Sequence, residues 1–128
     1  MKAIVLIDCG MVSPEDGRPI PTLILKSESA DFNRRRPDVA ADKAKTRDAY
    51  GRKAKPGIQI TLLGSEHLSF TDMTLLKAFA FPSDGKAFID TTRSVIGGFL
   101  GRYLMGQHSE LIEKGSAQYP LAKIDTPH

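Results

Sequence analysis

The sequence predicts an α/β fold built on a short parallel sheet. Three apolar, β-prone runs point to it: Lys2 to Ile7, Thr22 to Lys26 and Ile58 to Leu63. A segment with helix start and stop signals separates the second run from the third, and a long amphipathic segment follows. Strand, loop, strand, helix, strand, loop, helix is the order expected of parallel strands joined by crossovers.

Each element has its own warrant. Lys2 to Ile7 is continuously apolar after the lysine and rich in β-branched residues, the pattern of a strand covered on both faces. Asp8 sits at its carboxyl end. Cys9 to Pro21 carries Pro14, Asp16-Gly17, Pro19 and Pro21 and reads as a loop. Thr22 to Lys26 forms the second strand, and Ser27-Glu28-Ser29 opens its exit. After Pro37, Asp38 is placed to cap a helix running to about Tyr50, with Gly51 as its stop. Pro56-Gly57 leads into the third strand. From Phe88 to Met105 the apolar residues Val95, Ile96, Phe99, Leu100 and Tyr103, with Thr92, share one broad helical face. Gly97, Gly98 and Gly101 within it suggest close packing against a sheet, at some cost in helix propensity. Residues 107–128 are weakly patterned and read as a C-terminal tail, leaving 1–106 as the folded unit.

Composition narrows the function classes. At 128 residues and 41% hydrophobic, the chain has material for one modest core. Its apolar runs fall well short of the roughly 18 residues of a membrane span, so stable membrane insertion is not expected. A lone cysteine, Cys9, excludes an intrachain disulfide. The net charge of +3 is uneven. Residues 31–55 hold nine bases and four acids, net +5, and the remaining nine bases and eleven acids make net −2. Arg34-Arg35-Arg36 with Lys43, Lys45, Arg47, Arg52, Lys53 and Lys55 would suit a phosphate backbone. Aromatic residues are sparse there, however, and Asp38, Asp42 and Asp48 alternate with the bases at helical spacing. A solvated helix without nucleic-acid binding is therefore the expectation.

Two residues stand out chemically. In Gln59-Ile60-Thr61-Leu62-Leu63-Gly64-Ser65-Glu66-His67, the third strand stops at Gly64 and a histidine follows three positions later. Histidine titrates near neutrality and suits proton shuttling. Ligand chemistry in parallel sheets gathers beyond the carboxyl ends of the strands. Asp8 and His67 both fall at such ends, so they can meet on one rim, the carboxylate holding one ring nitrogen and the other free to take a proton. Other candidates are weaker. Cys9 adjoins Asp8 and points elsewhere along the strand. Ser65 and Ser69 suit loop hydrogen bonding, Phe70 suits loop packing, and Asp72 suits a helix cap. His108 and His128 lack metal-ligand spacing.

These segments resemble the C-terminal part of an α/β-hydrolase. The residues that carry the likeness are Val5-Leu6-Ile7-Asp8 with its Met-Val-Ser-Pro loop, Ile20 to Glu28, and Gly64-Ser65-Glu66-His67-Leu68-Ser69-Phe70-Thr71-Asp72. The likeness is greatest to platelet-activating factor acetylhydrolase and dienelactone-hydrolase-like esterases and covers roughly residues 3 to 106. It implies a serine carboxylic-ester hydrolase (acetylhydrolase- or lipase-like) acting on small-molecule esters without a cofactor. Asp8 matches the family's acid and His67 its catalytic histidine.

One departure qualifies this. The 128 residues contain no Gly-x-Ser-x-Gly elbow. A crossover of a dozen or more residues and a strand of five or six would put the serine roughly 20–25 residues before Asp8, upstream of Met1. The expectation is thus a C-terminal portion of the sheet, about three strands with flanking helices in an incomplete domain. Such a chain would supply Asp8 and His67 and be inactive alone, its partner being the N-terminal half of the same protein. The alternatives are a non-catalytic α/β domain, one half of a split hydrolase, or a basic nucleic-acid-binding module.

Overall fold

The computed structural model describes residues 2–8, 14–65, 85–108 and 120–125. Among them a four-stranded sheet runs in the order β1-β2-β3-β4: β1 Ile4–Ile7, β2 Thr22–Ser27, β3 Gly57–Leu62 and β4 Ala122–Asp125. The first three strands are parallel and β4 is antiparallel to β3. The α/β class and the three parallel strands agree with the sequence reading. The fourth strand differs from it, since β4 lies within the segment read as a tail. Ile60 pairs with Ile124 and Leu62 with Ala122, so this short run is held by its partner rather than by strong local propensity.

Three helices complete the described chain: α1 Ala30–Arg35, α2 Pro37–Lys53 and α3 Gly85–Met105. A 3-10 turn at Pro14–Asp16 lies between β1 and β2. Pro37 takes the first turn of α2, where its missing N–H has no helical partner to lose. Arg36 occupies the N-cap position, and Asp38 lies inside the first turn instead of capping it. Nor does Gly51 stop the helix, which continues to Lys53. Gly51 instead lies against the sheet, where a Cβ would make ordinary contact, 3.4 Å from Gln59 Nε2 and 3.6 Å from Ile24 Cδ1.

Alternation along the strands makes two layers of contact. Leu23, Leu25, Ile60 and Leu62 face α3, where Phe88, Val95 and Phe99 are buried against them, each at most 2% exposed. Ile96, Leu100 and Tyr103 extend this layer, which agrees with the apolar face read from the sequence. Ile24 and Gln59 face the opposite way, toward α2. Gly97 and Gly101 of α3 do not pack on the sheet as expected. A Cβ added at Gly97 would meet nothing within 4 Å, and Gly101 faces the side chain of Gln107.

β1 is the least covered strand. Ile4, Val5 and Leu6 are half-buried and Ile7 is 42% exposed, whereas Thr22 to Leu25 of β2 are buried throughout. Among the described residues β1 pairs with β2 alone. Its apolar residues are those of a central strand, but here it is an edge.

Candidate active site

The carboxyl ends of β1, β2 and β3 are tied together by short polar side chains. Asp8 follows β1 directly, and its N–H donates to Leu25 O at 2.6 Å. The Asp8 backbone is left-handed, φ 46°, a region that aspartate tolerates better than most residues at a cost of about 1–2 kcal/mol. Its carboxylate Oδ1 accepts twice from Ser27 of β2, from the N–H at 3.0 Å and from Oγ at 2.9 Å. The half-buried acid is thus aimed by the neighbouring strand end.

Ser27 extends the network. Its Oγ lies 2.7 Å from Ser29 Oγ. Ser29, also left-handed at φ 45°, donates its N–H to Ser65 O at 2.9 Å. Ser65, 1% exposed, donates from Oγ to Leu62 O at 2.6 Å and accepts from Glu28 N–H at 3.3 Å. This is the loop hydrogen bonding expected of Ser65. Glu28 closes the set, since its Oε1 accepts from Gly64 N–H at 3.1 Å. Gly64 has φ 74°, which glycine adopts without steric cost. A continuous chain of bonds therefore links Asp8, Ser27, Ser29, Ser65, Glu28 and Gly64 across the three strand ends.

Of the two residues singled out in the sequence, Asp8 stands on this rim. His67 lies outside the described residues, as do Cys9, Ser69, Phe70, Asp72 and His128. His108 is described and exposed, after the end of α3. The sequence reading passed over Ser29, Glu28 and Ser65 as a group. Their signal was present in the polar run Ser27-Glu28-Ser29 at the mouth of an apolar strand, but only the fold shows that it faces Ser65.

The basic segment is largely self-neutralising at its start. Asp31 pairs with Arg34 and with Arg35, the latter at 2.9 Å, and Arg36 approaches Asp38 at 3.5 Å. Lys43 of α2 sits 5.0 Å from the Phe32 ring centroid and ties the two helices together. Asp48, one of the acids spaced among the bases of the helix, accepts from Gln59 Nε2 at 2.8 Å, a contact to the sheet. Among the described residues no group of three or more His, Cys, Asp or Glu is arranged to hold a metal ion, and no helix is long and apolar enough to cross a membrane. The chain matches no protein-family model, no curated protein and no solved structure.

Proposed function

We propose that this chain supplies the acid and the general base of a serine carboxylic-ester hydrolase. In this reading Asp8 holds His67 in the required tautomer, and His67 takes the proton of a serine that attacks the ester carbonyl. The serine comes from outside these 128 residues, on the N-terminal part of the same α/β-hydrolase-like domain. Water then releases the acyl group, with His67 again acting as base. The reaction needs no cofactor.

The observation that carries the reading is the bonded rim. Asp8 is held by Ser27, while Ser65 is bonded to the two residues that follow Ser27. Two peptide units, about 7 Å of chain at most, separate Ser65 from His67. The left-handed backbone at Asp8 is further support, because such conformations concentrate at functional sites. The half-exposed apolar residues of β1 are consistent with another strand beside it.

The test is to express the reading frame together with the codons that precede Met1 and treat the product with a fluorophosphonate probe. A labelled serine on a Gly-x-Ser-x-Gly elbow, with labelling abolished in His67→Ala, is the expected result. Ester turnover by residues 1–128 alone that disappears in His67→Ala would sink the proposal, because a nucleophile would then lie within the chain.

A further inference from the structure

Among the described residues on the sheet face away from the α3 core, two buried polar atoms have no hydrogen-bond partner: Arg47 Nε and Gln59 Oε1. Gln59 is 3% exposed, and its amide nitrogen is already committed to Asp48. Both residues line a groove of about 770 Å³ between α2 and the sheet. The groove follows from the helix sequence. At Gly51 the helix lies against Ile24 and Gln59, while nearer its start the small side chains of Ala40 and Ala44 line the space. Its floor is polar, because Lys26, Thr61 and Lys123 stand in register across β2, β3 and β4.

Among the described residues that line the groove, basic side chains outnumber acidic ones. Lys26, Arg47, Arg52 and Lys123 line it against Glu28 and Asp48. Both carboxylates already accept hydrogen bonds, Glu28 from Gly64 N–H and Asp48 from Gln59.

We propose that this groove binds a small soluble organic anion that also carries a hydroxyl group. Its carboxylate or phosphate oxygens accept from Arg47, whose planar fork matches either group. Its hydroxyl donates to Gln59 Oε1, an acceptor that burial otherwise leaves unmet. The volume falls in the range of small-molecule sites, roughly 300–1,000 Å³. This assignment does not depend on the ester-hydrolase reading and holds if that reading fails.

Phenylglyoxal modification of the 128-residue chain, mapped by peptide mass spectrometry, tests it with Arg34 and Arg35 as internal controls. Glycerol 3-phosphate is expected to slow modification of Arg47 while leaving Arg34 and Arg35 unchanged. Sulfate, which has no hydroxyl hydrogen, is expected to protect less at equal concentration, and uncharged glycerol not at all. In calorimetric titration Arg47→Met is expected to weaken glycerol 3-phosphate binding about 10- to 100-fold, the effect of losing a charge-assisted hydrogen bond. Equal protection by sulfate would overturn the hydroxyl requirement. Protection by phosphatidylglycerol vesicles alone would overturn the assignment to a soluble anion. An oligonucleotide that shields Arg34 and Arg35 together with Arg47, where glycerol 3-phosphate shields none, would overturn the site in favour of a nucleic-acid surface.

Discussion

Ser27 donates two hydrogen bonds to the same oxygen of Asp8, one from its backbone at 3.0 Å and one from its hydroxyl at 2.9 Å. The pair joins the ends of two parallel strands, and removing either side chain has a different consequence. Ser27→Ala keeps the backbone bond and is expected to cost about 1 kcal/mol. Asp8→Ala removes the acceptor for both bonds and should cost more, about 1–3 kcal/mol. Urea unfolding followed by far-ultraviolet circular dichroism checks the order. Equal losses would show that the hydroxyl bond alone matters.

Gly57 and Gly51 lie against each other where β3 begins under the end of α2. A Cβ on Gly57 would overlap the Gly51 carbonyl oxygen, a backbone atom that cannot swing aside. Gly57→Ala should therefore destabilise by about 1–3 kcal/mol or more, as overpacking does. Gly51→Ala meets nothing closer than 3.4 Å, and it gains up to about 1 kcal/mol of helix propensity. It should be neutral or mildly stabilising in the same unfolding assay. A Gly57→Ala protein as stable as wild type would contradict the close approach of helix and strand.

Phe99 is fully buried between the sheet and α3, with its ring centroid 4.9 Å from that of Tyr103. Phe99→Ala should cost about 3–5 kcal/mol. Leu104, 44% exposed on the same helix, should tolerate alanine within about 0.5 kcal/mol. Comparable losses at the two positions would mean that α3 is rotated about its axis.

Ile7 is 42% exposed at the end of the edge strand β1. Uncovered apolar edges recruit other strands, and charge on such an edge blocks this. The 128-residue chain is expected to self-associate and to bind ANS, and Ile7→Lys should shift it toward monomer in analytical ultracentrifugation. A wild-type chain that stays monomeric at high concentration and leaves ANS unbound would refute the prediction.

In a protein that includes the nucleophile, Asp8→Asn is expected to lower kcat on the order of 10⁴-fold. His67→Ala should cost at least as much, and the double variant little more than either single one. If Asp8→Asn stays within about tenfold of wild type, another carboxylate serves His67. Asp31, the first carboxylate after Glu28 at the end of β2, is one to consider. In the fold it lies exposed on α1 and is already paired with Arg34 and Arg35.

The sequence by itself determined the three parallel strands, the two long helices and the face that α3 buries. Those features rest on local periodicity, and for Val95, Phe99 and Leu25 local pattern and burial agree. It also placed Asp8 at a strand end. Only the tertiary structure decided what depends on residues far apart in the chain. β4 exists because β3 offers an edge to an otherwise weakly patterned run. Gly51 lies inside the helix against Ile24 and Gln59 instead of ending it. Asp48 serves Gln59, eleven positions away, and the Ser29–Ser65 link spans 36. Such pairings carry no signature in a single sequence, because they arise from strand register and helix placement. Those are set by summed burial and hydrogen bonding across the whole sheet.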